Sequence, residues 1–251
     1  MQIIILAAGE GKRMSSLTKG NHKSLLPINA NETFFSRLLH QLNEYEISKV
    51  IIVTGHKSES ICSVLSQFQL NFEEVHNNRY KEDTNILSVK LAFAKINKNE
   101  PVIIIESDIY LSDIALKHIY FESKKNNSIW FTRGKFNKKQ YGGILKSNIQ
   151  NKVQEIKLVD KYLEKYSNYY KLLGITTIGT SQIEKFSKLI DLYSKKTIKQ
   201  YYLVPWIENL DILPSFKVDL DNNLVYSFNR EQEYYDFIKN NKSKKYNLED
   251  R

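Results

Sequence analysis

The sequence predicts an α/β fold, a single domain built on a Rossmann-like, mixed but mostly parallel sheet flanked by helices. Three observations carry that expectation. Short apolar runs at Ile3–Leu6, Val50–Val53 and Val102–Ile105 alternate with helical apolar spacing at Thr33–Tyr45, Ser58–Phe68 and Asn85–Lys95, and such alternation marks βαβ units around a parallel sheet. Beyond Asp108 the rhythm changes. Strands are expected at Ser128–Thr132, Gly143–Lys146, Val153–Val159 and Ile175–Ile178, and helices at Gln182–Tyr193 and Tyr234–Asn240. No internal repeat and no Pro/Gly-rich linker interrupts the chain, so one domain over residues 1–240 is expected, followed by a polar tail at 241–251 that frays.

Composition narrows the partners. At 251 residues and 41% hydrophobic content the chain can bury a sizeable core. Lys and Arg outnumber Asp and Glu 37 to 28, and the net charge of +9 asks for an anionic partner: a nucleotide, a nucleic acid or a lipid surface. The single Cys62 excludes an internal disulfide framework and a zinc ribbon. No stretch approaches the roughly 18 apolar residues of a membrane span, and the N-terminal apolar run has neither a basic leader nor a cleavage pattern. A cytoplasmic protein with no membrane partner is expected. The basic stretch Arg133–Lys139 holds one aromatic, Phe136, and no nucleic-acid reader, so it reads as a loop over a substrate pocket. His22, His40, His56, His76 and His118 show no metal-ligand or nucleophile spacing.

The opening segment MQIIILAAGEGKRM carries the first chemistry. A buried strand runs into the turn Leu6-Ala7-Ala8-Gly9-Glu10-Gly11-Lys12-Arg13. The turn fails the dinucleotide fingerprint, because Met14 stands where a third small residue is needed. It also fails the P-loop pattern, because Arg13 follows Lys12 where Ser or Thr is needed. What remains is a glycine turn whose N–H groups form an anion nest, with Arg13 placed to grip the same phosphates. An ordinary strand-to-helix turn is the alternative. Lys23, in the segment NHKSLLPI, adds a second cation shortly afterwards.

Together, LAAGEGKRM and HKSLLPI resemble the nucleotidyltransferase family that makes sugar nucleotides and CDP-activated small molecules. The likeness runs from Met1 to about Asn240 and thins beyond Asp108. It implies the nucleotidyltransferase fold, with the first motif wrapped around a triphosphate and Lys23 stabilising charge near the phosphorus under attack. Glu106-Ser107-Asp108 follows a strand whose carboxyl end is where open parallel sheets bind ligands. The resemblance makes Asp108 a ligand for Mg²⁺, with Glu106 beside it; the alternative is that Asp108 caps the next helix. The family's second metal carboxylate falls in register on Asn229, a departure that supplies a neutral oxygen. Asp219 and Asp221 are nearby but out of register.

Within the family, the segments NNRYKEDTNILSVKLA, IESDIYL and NKVQEIKLVDK look like the small-acceptor branch typified by phosphocholine cytidylyltransferases. Asn85 and Ser88 then meet the pyrimidine or ribose, or else Asn85 caps the helix that starts there. Lys161 matches a family lysine that meets the acceptor's phosphate. Tyr201, Tyr202, Trp206 and Glu208 are the implied acceptor wall, the alternative being an ordinary aromatic core. The implied activity is direct transfer of CMP from CTP with Mg²⁺ to a small phosphorylated acceptor. That acceptor is L-glutamine phosphate, as in capsular phosphoramidate synthesis, yielding CDP-L-glutamine and pyrophosphate. Phosphocholine or a sugar 1-phosphate is the alternative acceptor, and a nucleotide-binding regulatory protein is the non-enzymatic alternative.

Overall fold

Side chains alternate across a strand, so an unbroken apolar run must be covered on both faces. Gln2–Ala7 (β1) does this: Ile3, Ile5 and Ala7 enter one core and Ile4 and Leu6 the other, all buried. The computed structural model describes residues 1–18, 20–220, 224–228 and 230–249. β1 pairs in parallel with Lys49–Thr54 (β2) and Val102–Glu106 (β4), and β2 in parallel with Phe72–His76 (β3). The second half joins the same sheet through antiparallel strands. Tyr170–Ile178 (β9) lies between β4 and Ile129–Lys135 (β6), and Phe216–Asp219 (β10) pairs in parallel with β6 at the edge. The main order is β10-β6-β9-β4-β1-β2-β3, with the hairpin of Gly142–Ser147 (β7) and Val153–Val159 (β8) branching from β9. Ile109–Leu111 (β5) and Val225–Ser227 (β11) form a separate antiparallel pair. The sheet is mixed and mostly parallel in its first half, as the sequence predicts.

Helices cover both faces. Ile86–Phe93 (α4) and Thr180–Lys196 (α6) pack on the Ile4/Leu6 side. Phe34–Leu42 (α2), Ser58–Leu65 (α3) and Asp113–Lys124 (α5) pack on the other. Short helices Ser15–Thr18 (α1) and Val204–Ile207 (α7) sit in connections. α2 starts at a capping box in which the Thr33 hydroxyl accepts from the Ser36 N–H and Ser36 answers the Thr33 N–H. Among the described residues no helix is long and apolar enough to cross a membrane.

Several elements go beyond the sequence expectation. α5 follows Asp108 after the short strand β5, with Ser112 as its cap, and buries Ala115, Leu116, Ile119 and Tyr120. β9 begins at Tyr170, five residues before the expected Ile175. The last helix, Glu231–Glu249 (α8), continues through most of the segment expected to fray, and no Gly or Pro lies within it to stop it. β1 has β4 on one side and β2 on the other, so chain order reverses at β1. An open α/β sheet binds ligands in the crevice outside such a point.

Candidate active site

The turn after β1 brings the two cationic segments together. Gly11 adopts φ +61°, and a Cβ on it would stand 3.1 Å from Lys23 Cβ. Glycine therefore permits the left-handed backbone and lets the second segment pass against the first. Met14, wholly buried with Phe34, Phe228 and Phe237, anchors the end of the turn, and its N–H donates to the Gly11 carbonyl at 2.8 Å. Arg13 stays at the surface and its Nη1 donates to the Tyr141 hydroxyl at 3.2 Å. Lys12 pairs with Glu10 at 2.7 Å in an adjoining outer recess. Ala7 faces the opposite core.

His22 is 3% exposed, and its Nδ1 accepts from the Ser24 N–H at 3.2 Å, capping the short turn Lys23–Leu25. Burial, reinforced by His56, pushes its imidazole down to about 4, so it is neutral at physiological pH. The capped turn aims Lys23 at the end of β4, where its ammonium pairs with Asp108 Oδ2. The Ser107 N–H donates to the Leu6 carbonyl at 3.2 Å and ties the two strand ends. Glu106 lies against Gly174, where a Cβ would fall 2.7 Å from its Oε2. Burial, then the Asp108 charge, pushes the Glu106 carboxyl up to about 7, with Lys171 and Lys23 opposing.

Two cavities meet at this point. The first, about 270 Å³, lies between the glycine turn, Lys23 and the start of α4, with Asn85 and Ser88 in its wall. The second, about 380 Å³, lies between the β7–β8 hairpin, β9 and the Tyr201–Leu203 segment, over Trp130. Arg13, Glu106, Asp108 and Tyr201 line both. A triphosphate suits the first, which offers backbone N–H groups and two cations. Glu106 and Asp108 are hard oxygen donors at the junction, the kind a divalent cation uses when it keeps its waters and bridges phosphates. Asp108 and Glu106 therefore fit the implied cation.

Other expected residues are placed differently. Asn85 occupies the N-cap position of α4, but its side chain makes no capping bond to the helix. Asp83 makes such bonds, accepting from the Leu87 N–H at 3.0 Å, the Ser88 N–H at 2.9 Å and the Ser88 hydroxyl at 2.8 Å. Asn85 instead accepts from the Tyr202 N–H at 2.8 Å, which links the walls of the two cavities. Trp206, expected in the acceptor wall, is core. It is 0% exposed, lies edge-on to Trp130 at 5.5 Å, and its Nε1 donates to Ser215 Oγ at 3.3 Å. Glu208 accepts from the Tyr193 hydroxyl at 2.6 Å and lines neither cavity. Lys161 is exposed just past Asp160, which lines the second cavity. Asp219 is occupied elsewhere, accepting from Thr132 Oγ1 at 2.5 Å and the Gly134 N–H at 2.8 Å. Asn229 and Asp221 lie outside the described residues. Among the described residues no group of three or more His, Cys, Asp or Glu gathers for a metal. Residues that sequence reasoning missed include Asp83, Tyr141 and Lys171. Gly142, Gly143 and Gly174 gave a signal for this region, since a glycine inside a strand marks a close approach.

A glycine turn, two cations and two carboxylates at the switch point of an open sheet define a nucleotide-binding α/β domain. The chain belongs to the MobA-like NTP transferase domain family, whose profile matches residues 3–163. It is 31% identical over 134 residues to the choline-phosphate cytidylyltransferase of Haemophilus influenzae, covering 53% of this chain and 52% of that protein. To the 2-aminoethylphosphonate cytidylyltransferase of Lancefieldella rimae it is 29% identical over 130 residues, covering 52% and 50%. The chain thus spans about half the length of these curated relatives. Among solved structures, the CTP:phosphocholine cytidylyltransferase LicC of Streptococcus pneumoniae shares the fold. Its TM-score is 0.78 at 22% identity, over 95% of this chain and 97% of that one.

Proposed function

We propose that the protein is a cytidylyltransferase that moves CMP from CTP to the phosphate of a small acceptor, with L-glutamine phosphate, the acceptor of capsular phosphoramidate synthesis, as its substrate. The observation that carries this reading is the meeting of two cavities on Arg13, Glu106, Asp108 and Tyr201. A nucleotide held in one and an acceptor held in the other have their reacting phosphates at the shared charged groups. An acceptor phosphate oxygen attacks the α-phosphorus of CTP. The new P–O bond forms as the bond to the bridging oxygen breaks, and pyrophosphate leaves with that electron pair. A phosphate dianion is already a nucleophile, so positioning and charge stabilisation suffice and no covalent enzyme intermediate is needed. Lys23 neutralises charge growing at phosphorus, and Arg13 steadies the departing pyrophosphate. Asp108 would hold Mg²⁺, which when bound would supply further positive charge to the phosphates.

Phosphocholine and 2-aminoethylphosphonate are the second reading of the acceptor, supported by the names of the two curated relatives. Pyrophosphate release from CTP and Mg²⁺ with a panel of acceptors tests both readings. L-Glutamine phosphate is expected to lead phosphocholine and any hexose 1-phosphate in kcat/KM by at least about tenfold, roughly 1.4 kcal/mol of transition-state discrimination. Phosphocholine or 2-aminoethylphosphonate in the lead moves the protein to the second reading, and a hexose phosphate in the lead defeats the small-acceptor assignment. CTP binding with no pyrophosphate released from any acceptor makes it a nucleotide-binding regulatory protein.

A further inference from the structure

The second cavity is lined by a buried cation, Lys171, that is in no ion pair among the described residues. Lys171, on β9, turns its ammonium back under the hairpin and donates to the Gly143 and Leu172 carbonyls, each at 3.1 Å. An ammonium has three protons to donate, so one is left for another partner. Glu106 and Glu233 attract its charge, and the guanidinium of Arg133 adds like charge. Burial and Arg133 push the ammonium down only to about 8, against the pull of Glu106 and Glu233, so it remains charged at neutral pH. A desolvated charge that carboxylates attract without an ion pair is costly, and a bound anion reduces the cost. Gly142, which lines the same cavity, adopts φ +91°, and a Cβ there would stand 3.6 Å from Nζ. Glu106 and Asp160 line the same cavity, which therefore carries both signs of charge over an apolar floor of Trp130 and Leu172.

We infer that Lys171 binds a carboxylate of the acceptor, so that the second cavity selects phosphorylated amino acids over phosphorylated amines. The inference rests on the reading of that cavity as the acceptor site. Lys171 thereby becomes a specificity residue distinct from the groups that hold the transferring phosphates. The acidic side of the cavity faces the amino group of the same zwitterion, and Lys171 completes its charge balance.

A matched pair of acceptors isolates the carboxylate: O-phospho-L-serine and O-phosphoethanolamine differ only in that group. With CTP and Mg²⁺ the parent protein should show a kcat/KM at least tenfold higher for phosphoserine. Lys171→Met should bring that ratio close to one through a rise in the KM for phosphoserine. Lys171→Gln, which keeps an N–H donor for the Gly143 and Leu172 carbonyls, should do the same, separating loss of charge from loss of hairpin support. An equal fall for both acceptors would place Lys171 on the shared phosphate and overturn the inference, as would a ratio that neither variant changes. Calorimetric titration of phosphoserine reads the same contrast without turnover. Lys171-dependent binding with no pyrophosphate release from any acceptor would sink the transferase reading and keep the carboxylate site, whereas binding indifferent to Lys171 would sink the site itself.

Discussion

Replacing His22 with Asn should remove a pH dependence of folding stability that originates beneath the glycine turn. The imidazole is buried at 3% exposure and its Nδ1 caps the turn that carries Lys23. Burial holds it down to about 4 against 6.5 in the unfolded chain, with His56 and Lys23 acting in the same direction and Asp108 and the Ala7 backbone opposing. A depressed imidazole means that the unfolded chain binds one more proton than the folded one at pH values between those two. Stability is therefore full above 6.5 and falls as pH drops toward 4. Integrating the linkage relation gives a loss of about 2 kcal/mol between pH 7 and pH 5. Glu106, held up to about 7, acts with opposite sign over part of the same range, because there the folded protein binds the extra proton. It is present in both proteins, so the difference between parent and His22→Asn isolates the imidazole. Urea unfolding of both at pH 7.0, 6.0 and 5.0 is the assay. The side-chain oxygen of Asn can accept from the Ser24 N–H in place of Nδ1, so the variant should fold. A gap between the two stabilities that stays constant from pH 7 to pH 5 would refute the desolvated imidazole.

The remaining expectations concern the two cavities. Lys23→Ala should lower turnover by about 10² to 10³ while changing the KM for CTP far less, as expected for a charge needed most when phosphorus is crowded; an unchanged kcat removes Lys23 from the mechanism. Asp108→Asn should abolish metal-dependent turnover, and a Mg²⁺ activation curve identical to that of the parent would put the cation elsewhere. Trp206→Ala should destabilise the fold by about 3 to 5 kcal/mol through a cavity at the Trp130 contact, read as a lowered Tm. Tyr201→Ala, at a side chain 41% exposed on the junction of the cavities, should leave stability within about 0.5 kcal/mol and raise the acceptor KM. The reverse pattern for these two would return Trp206 to the acceptor wall.

The nucleotide half of the fold was legible because its strands are covered on both faces. Ile3–Leu6, Val50–Val53 and Val102–Ile105 read as apolar runs, and each is a strand. β3, whose residues are FEEVH, carries too few apolar side chains to be seen, and its Phe72 is itself exposed. β5 and β11 are three residues each, too short for an alternating pattern. α5 did carry a legible spacing, with Ala115, Leu116, Ile119 and Tyr120 on one face after the cap Ser112, but it starts where the strand–helix alternation breaks. The site divides in the same way. Arg13, Lys23 and Asp108 stand in short contiguous motifs, whereas the acceptor side is assembled from residues far apart in sequence. In the segment YYLVPW, a tight turn decides that Tyr201 faces the cavities while Trp206 enters the core, and no periodicity reports that. Lys171 has the appearance of any strand lysine, and its burial depends on a hairpin that packs against it.

The pairing of Lys23 with Asp108 bears on how the site fills. Each is the other's counter-charge across 85 positions of sequence. In the proposed reaction a triphosphate would draw the Lys23 ammonium toward its own oxygens, and Asp108 would then stand beside Glu106 with its partner engaged elsewhere. Asp108, joined by Glu106 to the extent that it is ionised, would repel an incoming polyanion, and in a partly dehydrated cleft that repulsion is stronger than in water. Under the proposed reading Asp108 would hold a divalent cation, whose charge would restore the balance and leave Lys23 for phosphate. CTP should accordingly bind weakly to the protein in EDTA and tighten on addition of Mg²⁺, whereas Asp108→Asn, which removes the repelling charge together with the cation's anchor, should bind CTP with little dependence on Mg²⁺. Equal CTP affinity of the parent protein with and without the cation would mean that the Lys23–Asp108 pair survives nucleotide binding and that Lys23 acts on phosphate only at a later step.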